Sequence, residues 1–296
     1  MTVLHSLRRA RRDCRPPHVV TSRDRARTAG ARLLDEQLRK ASARATESIV
    51  RRFGDRLGMW VGCGYPKSGT VWLCQLLSSY LELPYPRQYR SPVAMASVIH
   101  AHWMPSTDTP RTVYVVRDGR DVMLSLYFYE ARLATGGRNP AAARKRLARF
   151  RYVLGPSPDL KDVTGNLPRF IESQLADPSW VRAPWPQHVE AWLDASPDRV
   201  AVVRYEDMLG SVPDTLRPAL ESLTEEAVDM DALRLVSQRF SFERQVHRGP
   251  LSAQSRGFLR RGVAGEWRDY FSDEARIIFE QAAGSTLKRV GYDSHG

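Results

Sequence analysis

"GCGYPKSGTVW", Gly62 to Trp72, lies between a short apolar run, "MWVGCG" (59–64), and an apolar-periodic one, "TVWLCQLLSSYL" (70–81). A buried run, a glycine-bounded loop and a helical pattern in that order predict a strand–loop–helix unit. Such a loop gathers unpaired backbone N–H groups and the positive end of a helix dipole at one point. That is an anion site before any side chain is counted. Lys67 adds a point charge, and Ser68 and Thr70 add hydroxyl donors. A loop that hydrolyses nucleoside triphosphates reads G-x-x-x-x-G-K-[ST], with the last hydroxyl on magnesium. Here Lys67 comes two residues before Gly69, and Thr70 follows the glycine directly. The expectation is a bound phosphate without a loop-held metal ion.

Outward from the loop, "RTVYVV" (111–116) is a continuous apolar run of the kind a strand covered on both faces shows. It ends at Arg117, and "DGRDVMLSLYFYEARL" (118–133) reads as the next helix. "RVAVVRYED" (199–207) is a third strand candidate, after the Trp-rich helix "WPQHVEAWLDA" (185–195). Strands alternating with helices predict an α/β fold. It is a single domain with a central parallel sheet flanked by helices, P-loop-like, with ligands at the carboxyl ends of the strands. Residues 132–185, rich in Gly, Pro and Arg around the helical run "AAARKRLARFRYVL", read as an irregular insertion serving as a lid or acceptor segment, with a linker as the alternative.

Of a net charge of +12, the first 58 residues hold 15 Lys or Arg against 6 Asp or Glu. Residues 1–30 read as a solvated basic tail. From 31 to 58, Leu34, Leu38, Ala41, Ala45, Ile49 and Phe53 form one helical stripe. The stripe is expected to pack on the main domain at 59–296. Peripheral membrane contact through the basic N-terminus is the alternative. Cys14, Cys63 and Cys74 make no even framework and read as reduced thiols, and no run approaches the roughly 18 apolar residues of a membrane span. A cytoplasmic protein is the expectation.

Four segments carry a family likeness. "YPKSGTVW" resembles the 5′-phosphosulfate loop Y-P-K-[SA]-G-[NT]-T-W of the cytosolic-type sulfotransferases. "VYVVRDGRDVMLSLYFY" resembles their 3′-phosphate element. "WPQHVEAW" with "VVRYEDML" resembles their W-x-x-H-V-x-x-W and Y-E-D-M stretch. "FLRRGVAGEWRDYFS" resembles their late R-K-G-x-x-G-x-W segment. The likeness runs from about Met59 to Phe271 in family order.

The resemblance implies a donor, 3′-phosphoadenosine 5′-phosphosulfate (PAPS), a product, 3′-phosphoadenosine 5′-phosphate (PAP), and no metal. Lys67, Ser68, Gly69, Thr70 and Val71 would hold the 5′ side. Arg117, Ser125, Arg260, Arg261 and Gly262 would hold the 3′-phosphate, where planar guanidinium forks suit phosphate oxygens. Without the likeness, Arg117 could instead pair with Asp118 or Asp121. Trp72, Tyr205 and Phe242 match positions around the adenine. Val71 departs from a loop Thr, and Phe240 stands where a polar residue is usual.

In "VIHAHWMP", His102 matches the family's general base, and imidazole titrates in the range such a base needs. His100 replaces the usual lysine and is a weaker cation or the base itself. Lys67 would follow charge onto the leaving nucleotide's bridging oxygen. His188 reads as packing. The acceptor is a small molecule, carbohydrate or lipid bearing a hydroxyl or amine, with Leu83, Tyr85, Tyr89, Trp103, Tyr127, Tyr129 and Trp185 as candidate lining. Homo-oligomerisation stays open, since Ser272-Asp273 replaces the Thr-Val of the family's dimer segment. Two other functions compete: a kinase of the same loop ancestry, and nucleic-acid binding through the Arg-rich N-terminus. No nucleic-acid motif accompanies that charge.

Overall fold

Side-chain alternation along the strands decides the layering. In a computed structural model, β1 (Trp60–Gly64) and β3 (Thr112–Val116) are buried at every position. The structure describes residues 22–87, 89–136, 139–178, 181–241, 244 and 263–292, with side chains from Leu34 on. Val61, Cys63, Tyr114 and Val116 face one core, and Trp60, Val113 and Val115 face the other. A sheet with two dry faces needs helices on both, which continuous apolar runs allow and strict alternation would not.

The sheet order is β2-β1-β3-β4, all parallel, with β2 at Val98–Ala101 and β4 at Val200–Arg204. The chain therefore leaves β1 toward β2 on one side and later returns to β3 on the other. The crevice beyond the carboxyl end of β1 is the switch point, where α/β sheets bind ligands. β2 did not stand out in the sequence, since "VIHA" is four residues long and carries a histidine.

On one face lie α1 (Ser22–Phe53), α3 (Gly119–Gly136), α5 (Val163–Ala176), α6 (Trp185–Leu193) and the helix Asp273–Arg289, here α10. On the other lie α2 (Thr70–Tyr80), α7 (Tyr205–Gly210), α8 (Val212–Thr224) and α9 (Met230–Arg239). The first core includes Trp185, Trp192, Trp267 and Phe279, each essentially without exposed surface. Truncating any one to Ala is worth about 3–5 kcal/mol.

Several expectations are corrected. The segment 132–185 is largely helical: α4 (Pro140–Leu154) and α5 pack on α3. Asn139 and Asp162 cap these helices through their side chains, so polar residues that read as loop are helix starts. The third strand stops at Arg204, and Tyr205 opens α7. α1 begins at Ser22, inside the expected tail. Its apolar stripe meets the domain only in part: Ile49 packs against the first core, whereas Leu34, Leu38 and Phe53 are 58%, 46% and 47% exposed. Ser42, Thr46 and Val50 are buried instead. Ser42 Oγ donates to the Arg90 carbonyl at 2.7 Å, and Thr46 Oγ1 accepts from Val93 N–H at 3.0 Å. Those bonds make the polar face the one that buries without penalty. Cys63 and Cys74 are buried thiols, and Cys14 lies outside the described residues.

Candidate active site

The loop after β1 turns through two left-handed residues, Lys67 (φ 76°) and Gly69 (φ 91°). A lysine there is uncommon and costs on the order of 1 kcal/mol. Gly69 is required twice over, since a Cβ would fall 2.5 Å from Tyr205 Cδ2. Gly64 leaves room for Thr70 Oγ1, which a Cβ would approach to 2.9 Å. Ser68 N–H closes the turn on the Tyr65 carbonyl at 3.1 Å. The first intrahelical bond of α2 runs from Leu73 N–H to Gly69 O, which leaves the first-turn N–H groups of Thr70, Val71 and Trp72 facing the loop. Ser68 Oγ and Thr70 Oγ1 are buried and without a hydrogen-bond partner among the described residues. Buried polar atoms are normally paired, so two orphaned hydroxyls beside free helix N–H groups fit an anion.

The carboxyl ends of the neighbouring strands bracket this loop. After β3, Arg117 Nη1 donates to the Lys67 carbonyl at 3.2 Å, and its guanidinium lies 4.6 Å from the Tyr205 ring centre. Its Nε is buried and unpartnered. Asp121 Oδ2 stands 3.6 Å from Nη2, while Asp118 pairs with Arg120 instead. After β2, His102 Nδ1 meets the Gly64 carbonyl at 2.6 Å. A carbonyl only accepts, so Nδ1 carries the hydrogen and Nε2 keeps its lone pair. Burial lowers the His102 pKa, with the Lys67 charge adding to it and the Gly64 bond opposing. The ring is therefore neutral near pH 7, as a base must be.

His100 meets His102 edge-on at 4.5 Å between ring centres. Burial, then the charges of His102 and Arg87, push its pKa down to about 3. It is uncharged at neutral pH, so it does not supply the cation that a lysine would. His188 is fully buried, with Nδ1 2.9 Å from Tyr114 Oη and Nε2 3.4 Å from the His102 carbonyl.

Trp72 meets Tyr205 edge-on at 5.9 Å and donates from Nε1 to the Phe240 carbonyl at 3.0 Å. Val71 is half-buried in the first turn of α2, and Ser125 is half-buried on α3. Phe242, Arg260, Arg261 and Gly262 lie outside the described residues. Of the candidate lining, Tyr127 and Trp185 are core, without exposed surface. Tyr129 does reach the site, with Lys67 Nζ 4.5 Å from its ring centre.

Three residues within the quoted segments have supporting roles that the sequence does not show. Asp121, 1% exposed, accepts Gly265 N–H at 2.7 Å and Trp267 N–H at 2.9 Å, tying the late glycine-rich segment to α3. Arg120 lies 3.9 Å over the Trp267 ring while paired with Asp118. Glu206 Oε1 accepts Asp118 N–H at 3.2 Å, joining α7 to the turn after β3.

The sulfotransferase domain family matches residues 86–291, more than two thirds of the chain. The chain belongs to that family.

Among its relatives, rat (Rattus norvegicus) sulfotransferase 1E1 is 21% identical over 73% of this chain and 79% of its own length. Bovine (Bos taurus) sulfotransferase 1A1 is 24% identical with the same coverage. A mouse sulfotransferase solved in complex with PAP superposes with a TM-score of 0.55 at 18% identity, covering 78% of this chain and 87% of that one. A retinol dehydratase solved with retinol and PAP gives 0.54 at 20% identity, covering 79% and 82%. The family match begins downstream of Lys67 and does not include the loop. In this sulfotransferase, as far as the described residues go, no cluster of three or more His, Cys, Asp or Glu is arranged to hold a metal. No described helix is long and apolar enough to cross a membrane.

Proposed function

We propose that the chain transfers a sulfuryl group from PAPS to a hydroxyl or amine of a small-molecule acceptor, with His102 as general base. The observation that carries this reading is the loop bracketed from both sides: Arg117 bonds to its Lys67 carbonyl, and His102 bonds to the Gly64 carbonyl at its start. The orphaned Ser68 and Thr70 hydroxyls between them support a 5′ anion at the loop. The PAP held by two structural relatives supports the same donor.

Bound there, the donor supplies the sulfuryl group and a nucleotide phosphate as leaving group. The first-turn N–H groups of α2, with Ser68 and Thr70, hold the 5′ anion. Arg117, whose Nε is unpartnered, grips the 3′-phosphate, with Ser125 and, outside the described residues, Arg260, Arg261 and Gly262. Trp72 and Tyr205 flank the adenine, joined by Phe242. Lys67 meets charge developing on the departing oxygen, which favours the transition state over the ground state. His102, locked as its Nδ1–H tautomer, accepts the acceptor's proton at Nε2. His100, neutral beside it, supplies a dipole.

PAP binding tests the donor site: thermal stabilisation by PAP that Lys67→Ala and Arg117→Ala weaken is the expected result. No stabilisation of the wild-type protein by PAP rejects the reading. ATP with magnesium stabilising in its place would favour a kinase. An acceptor screen with sulfur-labelled PAPS identifies the second substrate.

A further inference from the structure

Past Ala101 the chain has left the sheet, and strand pairing no longer fixes the residue that matters most. Three consecutive carbonyls are held there by side chains from three elements. The His102 carbonyl accepts from His188 Nε2 at 3.4 Å. The Trp103 carbonyl accepts from Trp192 Nε1 at 3.1 Å and from Cys63 Sγ at 3.8 Å. The Met104 carbonyl accepts from Arg51 Nη2 at 2.9 Å.

Arg51 is the member that the core does not explain. It sits in the last turn of α1, a helix that leaves Leu34, Leu38 and Phe53 exposed. All three of its guanidinium nitrogens are nonetheless engaged. Glu47 Oε1 takes Nε at 3.1 Å and Nη2 at 2.9 Å, Nη1 donates to Ser106 Oγ, and the Trp103 ring centre is 5.3 Å away. One planar fork thus touches residues 103, 104 and 106, which a solvated arginine would not do. The same helix grips the approach to β2, through Ser42 on Arg90, Thr46 on Val93 and the Asp35–Arg90 ion pair at 2.6 Å. α1 therefore clamps both flanks of β2, the strand that carries His100 and leads directly into His102.

We propose that Arg51 is a positioning residue for His102, fixing through Trp103 and Met104 the backbone from which the imidazole reaches the Gly64 carbonyl. The inference rests on the reading of His102 as the base. The Nδ1–Gly64 bond, at 2.6 Å, tolerates little displacement, because a ring shifted away by even an ångström has no acceptor to select its tautomer. A ring free to exchange tautomers presents N–H rather than a lone pair at Nε2 for part of the time. The charged or titratable groups facing His102 are Lys67 from the loop, His100 on β2 and His188 from α6. None of them is removed by changing Arg51.

The test uses full-length protein with nitrogen-15-labelled histidine, the His102 signals being assigned by their loss in His102→Gln. Wild-type His102 is expected as a single neutral Nδ1–H form. Arg51→Met, of similar reach but without donors, is expected to give a mixture of both tautomers and a titration midpoint moved toward that of free imidazole. Thermal stabilisation by PAP should be retained. Arg51→Lys, which keeps a donor for the Met104 carbonyl, should recover part of the wild-type pattern. Should Arg51→Met fail to fold, Glu47→Gln loosens the same guanidinium and is expected to move the signals the same way. Unchanged His102 signals in a folded variant overturn the proposal, as does a change accompanied by loss of the PAP shift, which would mean general collapse. His102→Ala with normal turnover is a different result: it removes the base, not the tautomer coupling.

Discussion

At the level of single residues, Lys67 combines a left-handed backbone with the charge that the proposed transfer uses. Lys67→Gly should therefore stabilise the fold by up to about 1 kcal/mol while lowering turnover by about 100-fold or more. Thermal melts and steady-state rates check both halves, and a variant that loses stability would show the loop is not strained. Gly69→Ala pushes a methyl into Tyr205 at an unfavourable φ, so it should abolish the PAP-induced rise in Tm even where the protein folds. His102→Ala should cut kcat by about 10²–10⁴-fold and leave PAP affinity within a factor of a few. With the His102 pKa lowered by burial, the acid limb of kcat/KM should fall below about 6.5, the unperturbed histidine value. A limb above that value would exclude this ring as the group observed.

Among the elements, α1 offers a direct comparison between pattern and packing. Leu34→Ser and Leu38→Ser should change stability by no more than about 0.5 kcal/mol, because these side chains gain little from the fold. Thr46→Val should cost about 1 kcal/mol by orphaning the Val93 N–H. Chemical denaturation of the three variants ranks them, and the reverse ranking would restore the apolar stripe as the packing face. Periodicity placed Ile49 correctly but misplaced Leu34, Leu38 and Phe53, because it counts apolar side chains and cannot see a hydroxyl compensated by a hydrogen bond. β1 and β3 were legible because both faces are dry, and α2, α3 and α6 because their boundaries are marked by Gly, Asp or Pro. β2 was not legible, since four residues with a histidine carry no period. α4 was legible as a helical run, but its start and the whole of α5 were obscured by the turn-forming residues that in fact cap them. In the site, motif order names Lys67, Arg117 and His102 as candidates, and Asp121 only as a possible ion-pair partner of Arg117. The bonds of Asp121 and Arg51 to distant backbone carry no sequence signal. Asp121→Ala, which strands two buried N–H groups, should cost about 3 kcal/mol and release the segment around Trp267, measurable as faster amide exchange at Gly265 and Trp267.

For the molecule as a whole, three histidines gathered behind the site set its tolerance of acid. His188 is held down to about 4 and His100 to about 3, mainly by burial, and His102 is lowered for the same first reason. The unfolded chain binds protons at these groups below about pH 6.5 while the native protein does not. The contribution of these rings should thus be constant above that pH, and stability should fall as pH drops toward 4, by up to about 1.4 kcal/mol per pH unit for each group. A Tm unchanged between about pH 7 and pH 4.5 would contradict the burial of these rings.

The sheet has a further consequence, for how the chain reaches its native state. β4 adds to β3 by pairing Thr112 with Val200, across all of α3 to α6. Loop closure of that length must precede any gain from the pairing, which makes contact order high and refolding slow. A nascent chain halted before Val200 would leave the far side of β3 open as a template for neighbouring chains, so dilution and chaperones should govern the yield of active enzyme more than temperature does.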